Sequence, residues 1–121
     1  MSLEFYKILH LLGLMTLFFS FGGGLILGYA GVPFQGRAKN MIMMLHGIAL
    51  LLILITGFGM AAKMGYMSHL PGWIQGKLAI WVILGGAVAL VKRKGSVGWP
   101  LVVLLLGLGT TAAILAVTKP F

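Results

Sequence analysis

Three histidines, one glutamate and nine lysines or arginines are the residues of this 121-residue chain with most to offer chemically. There is no cysteine, which excludes disulfides and thiolate metal sites. The single acid, Glu4, excludes paired-carboxylate catalysis. What remains is imidazole and ammonium chemistry: a metal ligand, a proton carrier, or a cation that holds an anion. The imidazoles are His10, His46 and His69, and two lysines, Lys7 and Lys77, stand at the edges of apolar runs. His10 and His46 are the candidate metal ligands, and His10 and Lys77 the candidate catalytic pair. An ionisable group inside an apolar run is a functional candidate by default. The competing structural reading of each histidine is an interhelical or interfacial hydrogen bond, and a lysine near a helix end ordinarily snorkels to the membrane surface. For His69, in a loop, solvation is the ordinary state.

The elements that must position these groups are membrane helices. The chain is 60% hydrophobic and 8% charged, against roughly a quarter charged in soluble domains. Four apolar segments, about 8–29, 41–62, 73–91 and 97–117, each have roughly the 20 residues that span a bilayer. Backbone groups in lipid must be satisfied within the segment, so these are helices. The first run is too long for the roughly 7–15-residue apolar region of a signal peptide, so it reads as a span. Short connections make sequential helices antiparallel, giving an all-α, single-domain, up-and-down four-helix bundle. The net charge of +8 does not point to nucleic acid, because the basic residues sit at the ends of apolar runs. Arg37, Lys39, Lys92, Arg93 and Lys94 crowd loops one and three. The positive-inside rule makes those loops cytoplasmic and puts both termini and loop two on the outer side. Trp73 and Trp99 are expected at opposite membrane interfaces.

The first helix organises the rest. Gly13, Leu17, Ser20, Gly24 and Gly28 all fall within about 80° of His10 on a helical wheel. Ser20, Gly24 and Gly28 follow the small-xxx-small spacing that lets helices approach closely in lipid. Such a face suits neighbouring helices, a second copy in a two-fold dimer, or a flat macrocycle lying between helices, with Gly24 in contact with it. With helix midpoints near residues 18 and 51, His10 and His46 lie on opposite sides of the midplane. Their depths differ by roughly 20 Å at ~1.5 Å per residue. Two axial haem ligands have Cα atoms only roughly 12–13 Å apart, so His10 and His46 do not clamp one haem. A haem held by His10 would have His69, one of Met60, Met64 and Met67, or nothing on its other face. The eight methionines read as packing filler rather than as a copper site.

Four motifs, in order, resemble a known family. Phe5–Ser20, FYKILHLLGLMTLFFS, resembles the opening of SirB-type and HemJ-type membrane proteins, in which Lys-x-x-His leads into the first helix. Pro71–Leu78, PGWIQGKL, resembles the start of their third helix. The basic hairpin VALVKRK and the closing AVTKP are similar to SirB-type sequences. HemJ-type proteins oxidise protoporphyrinogen IX to protoporphyrin IX and bind haem b, and the related CopD group is tied to copper. The resemblance implies that His10 matches the first-helix histidine and Lys77 the helix-three lysine. Gln75 stands where HemJ-type proteins tend to carry a histidine, and an amide neither ligates iron well nor relays protons as imidazole does.

The expected function is therefore a haem- or porphyrin-binding redox protein of a bacterial inner membrane. His10, Lys7, Lys77, His69 and Gly24 would be its cofactor-binding residues, and Lys7 and Lys77 would pair with porphyrin propionates. If it is an enzyme, it is an oxidoreductase of the protoporphyrinogen oxidase kind, which needs an electron acceptor that no motif specifies. The alternative is a non-catalytic accessory subunit or assembly factor, held to other membrane proteins through its glycine-rich faces.

Overall fold

The computed structural model describes residues 2–33, 35–94 and 99–119. Its elements are four helices: α1 (Leu3–Tyr29), α2 (Gly36–Lys63), α3 (Gly72–Lys94) and α4 (Trp99–Thr118). All four are long and apolar enough to cross a membrane, and the expected all-α architecture is the one found. At ~1.5 Å per residue α1 and α2 run about 40 Å, longer than a hydrocarbon core of roughly 30 Å. They overrun the hydropathy limits because polar residues can continue a helix into the headgroup layer. The side chain of Ser2 accepts from the Phe5 N–H at 3.2 Å and so starts α1 before the apolar run begins. The basic turn Arg37–Asn40 belongs to α2 rather than to the preceding loop.

Glycine closes the first two helices. Gly31 (φ 73°) and Gly65 (φ 81°) take the left-handed conformation just past α1 and α2. The N–H groups of Val32 and Tyr66 then bond back to the carbonyls of Leu27 and Ala61, each at 2.9 Å. Pro33 and Pro71 follow within a few residues. Lys92–Lys94 of the expected basic hairpin end α3, while Gly95 and Ser96, and the expected start of helix four at residue 97, lie outside the described residues.

Packing is uneven. Gly13 brings α1 against α2 so closely that a Cβ there would lie 2.9 Å from Ile53 Cγ1. At Gly24 the close neighbour is on α3, where a Cβ would lie 2.6 Å from Val91 Cγ1. The core runs from Leu17, Phe21 and Leu25 on α1 through Ala49 and Ile53 to Ile80, Leu84, Ala87 and Val91 on α3. Helix α4 leans mainly on α3 and buries only Leu101 and Leu105 among its described residues. The buried face of α1 holds most of the expected stripe: His10, Gly13, Leu17, Ser20 and Gly24 are buried, joined by Phe21 and Leu25, while Gly28 near the helix end is only half-buried. The buried polar side chains His10, Ser20, His46 and Thr56 sit beside this apolar core, while many large apolar side chains, Phe19, Ile26 and Leu106 among them, are exposed on the outside of the bundle, as lipid-facing residues are. Trp99 is exposed, as an interfacial residue is, but Trp73 is only 6% exposed. Its ring packs at 86° and 5.9 Å against Tyr66, inside the bundle end and not on its rim.

Candidate functional site

One end of the bundle is hollow. A cavity of about 760 Å³ lies between all four helices, at the end where α1 and α3 begin and α2 and α4 finish. Its walls are apolar and aromatic, with Phe18, Phe58, Trp73 and Trp81 among them. Ligand cavities run to roughly 300–1,000 Å³, so this one has room for a large organic molecule. It exists because α4 does not close on α2: the wall on that flank includes Leu106, Thr110, Ala113 and Val117, all of them exposed. The cavity is therefore open along α4.

Four ionisable groups line it: His10, Lys7, Lys77 and Lys119. His10 is buried (8% exposed), and its Nδ1 lies 2.9 Å from Thr56 Oγ1 on α2. The Thr56 hydroxyl lies 2.6 Å from the Leu52 carbonyl of its own helix, to which it donates, and 3.3 Å from that of Ile53. The ring lies over Gly57, where a Cβ would stand 3.5 Å from His10 Cε1. Lys7 is exposed and Lys77 half-buried. Lys119 reaches back from the end of α4 and sets its ammonium 5.6 Å from the centre of the Trp73 ring, a cation–π distance. Its backbone is left-handed (φ 47°), and its N–H bonds to the Leu115 carbonyl at 3.0 Å. A non-glycine residue in that conformation costs about 1–2 kcal/mol.

Glu4 is the only acidic side chain in the chain, so an anion brought by a ligand would meet little competition from acidic side chains for these cations. The site thus combines an apolar slot, one imidazole within the membrane and three ammonium groups. It can hold an amphipathic molecule with acid groups at one end and a group that meets imidazole at the other. Met60 and Met64 also line the slot, and Met67 does not.

The remaining predicted residues lie elsewhere. The Nε2–H of His46 points toward the Leu84 carbonyl at 3.4 Å, and its ring meets Phe21 edge-on at 5.3 Å. It comes ten residues before Thr56 on the same helix, so His10 and His46 differ in level by about 15 Å. The separation is smaller than the expected ~20 Å but still exceeds the roughly 12–13 Å between the Cα atoms of two axial haem ligands. His69 is an exposed turn residue. Gly24 packs on Val91, outside the cavity lining. Gln75 is exposed and donates its amide to the Leu70 carbonyl at 2.9 Å. Among the described residues no group of three or more histidines or acids is placed to hold a metal ion. Sequence reasoning missed Thr56, whose signal was a lone hydroxyl within an apolar run, and gave Lys119 no part in the site.

Comparison with protein-family models, curated proteins and solved structures finds no match for this chain.

Proposed function

We propose that this is a membrane-embedded haem- or porphyrin-binding redox protein, related in kind to the SirB and HemJ types that its motifs resemble. The observation that carries the reading is the cavity of about 760 Å³ with His10, Lys7, Lys77 and Lys119 on its walls. A tetrapyrrole is a flat apolar disc with two carboxylates on one edge. The slot offers apolar walls to the disc and ammonium groups to the carboxylates. His10 is the residue that would hold the iron of a haem b, and its contact with Thr56 is the outer-shell support that metal-bound histidines carry. Bound haem would supply one-electron chemistry, and the chain's own part is to hold, orient and shield it. In this reading the cavity lies in the extracytoplasmic half of a bacterial inner membrane, which the basic residues at the start of α2 and the end of α3 support through the positive-inside rule.

The test is a haemin titration of the purified protein in nanodiscs. A Soret band that saturates near one haem per chain and shifts or weakens in His10→Ala supports the reading. A titration without any protein-dependent band, or one identical in His10→Ala, ends it.

A second reading, an accessory subunit packed against other membrane proteins or a second copy, draws on α4 and its small buried face. It expects co-purification of a partner that Gly107→Leu, on the open side of α4, abolishes while His10→Ala does not.

A further inference from the structure

The hydrogen bonds of Thr56 bear on where the proton of His10 sits. The hydroxyl has one hydrogen. The Leu52 carbonyl, 2.6 Å from Thr56 Oγ1, takes it, as hydroxyls in helices commonly bond back one turn. The Thr56 oxygen facing His10 can then only accept. In a neutral imidazole one nitrogen carries a proton and the other a lone pair. At 2.9 Å from an oxygen with no hydrogen to give, Nδ1 must be the protonated one. The lone pair is left on Nε2. That nitrogen makes no hydrogen bond among the described residues, and no buried side-chain nitrogen or oxygen among them lacks a partner. Nε2 is thus open to the cavity that His10 lines. Gly57 lies beside the ring, where a Cβ would meet His10 Cε1 in ordinary contact at 3.5 Å.

We infer that Thr56 is a positioning residue that presents His10 to the cavity as an electron-pair donor, and that the site therefore selects ligands carrying an electron-pair acceptor at their centre, a metallated tetrapyrrole over its metal-free counterpart. The selectivity half rests on the function proposed above; the proton's position does not.

Two measurements separate them. The first is the 15N spectrum of histidine-labelled apoprotein in nanodiscs at a pH where imidazole is neutral, with His10 assigned by its loss in His10→Ala. Wild type is expected to carry the proton on Nδ1. Thr56→Ser keeps it there, and Thr56→Val lets the Nε2–H form appear. An Nε2–H ring in wild type, or an Nδ1–H ring unmoved by Thr56→Val, overturns the inference whatever binds. The second is a titration with zinc protoporphyrin and with metal-free protoporphyrin. The zinc compound is expected to bind more tightly to wild type and to Thr56→Ser. Thr56→Val is expected to weaken it about 10–100-fold and to leave the metal-free compound unchanged. Equal loss for both compounds overturns the selectivity and reduces Thr56 to a packing role. An Nδ1–H ring with neither porphyrin bound would leave Thr56 positioning His10 and remove the porphyrin reading.

Discussion

Replacing Gly24 by alanine tests whether the small-residue stripe is spent inside the bundle. The new Cβ would lie 2.6 Å from Val91 Cγ1, about an ångström inside ordinary contact of roughly 3.5–4.0 Å. Val91 is 3% exposed, and its branched side chain has one strongly preferred rotamer in a helix. It cannot swing away, so α1 and α3 must part or strain. Overpacking of this kind costs about 1–3 kcal/mol. Alanine also stabilises a helix relative to glycine by up to about 1 kcal/mol, so a control is needed. Gly86→Ala supplies it, because a Cβ there meets nothing within 4 Å. The difference between the two variants isolates the clash at about 1–3 kcal/mol, or ~5- to ~150-fold in the unfolding constant. Reversible unfolding by SDS in mixed micelles, followed by tryptophan fluorescence, measures it. Val91→Ala in the Gly24→Ala background removes the obstructing methyls and is expected to recover about 1 kcal/mol or more as coupling. Haemin affinity is expected to stay unchanged, since Gly24 lies outside the cavity lining. Two results would refute this: Gly24→Ala as stable as Gly86→Ala, or no recovery with Val91→Ala.

His46→Leu is expected to lose one interhelical hydrogen bond, worth about 0.6–1.7 kcal/mol in a membrane bundle, and to leave the haemin spectrum untouched; a changed Soret band would place His46 at the cofactor after all. Lys119→Gly relieves the left-handed backbone, so unfolding in SDS should come later by about 1 kcal/mol, while affinity for protoporphyrin falls and affinity for its dimethyl ester does not; equal affinities for the diacid in both proteins would take Lys119 out of the site. Because the chain lacks cysteine, single replacements report sidedness cleanly. Ser68→Cys is expected to react with an impermeant maleimide on intact spheroplasts and Gln35→Cys only after lysis, and the reverse pattern would invert the assigned orientation.

The helices were legible in the sequence because bilayer thickness sets their length and backbone satisfaction sets their type. The buried stripe of α1 was legible too, since His10, Gly13, Leu17, Ser20 and Gly24 repeat at helical spacing and all are buried. What periodicity could not supply was pairing between helices. That Gly24 meets Val91 and His10 meets Thr56 depends on crossing angles and on how far α4 stands from α2, which no single segment encodes. Trp73 was misplaced for the same reason: its position at a helix start suits the membrane rim, and only the approach of Tyr66 and Lys119 draws it inside. His69 was legible as a loop residue whose ordinary state is solvation, and it lies exposed in the turn between α2 and α3.

The incomplete seating of α4 sets the units in which this protein's affinity is to be read. A guest that slips in past Leu106, Ala113 and Val117 comes from among acyl chains, so it need never dissolve as a monomer in buffer. Its effective concentration is moles per mole of lipid, and the partition coefficient multiplies any constant expressed per litre of water. Far below saturation, doubling the lipid at fixed total guest would then roughly halve occupancy, as dilution does for a soluble receptor. Two ligands of equal fit would rank by how well each dissolves in the leaflet.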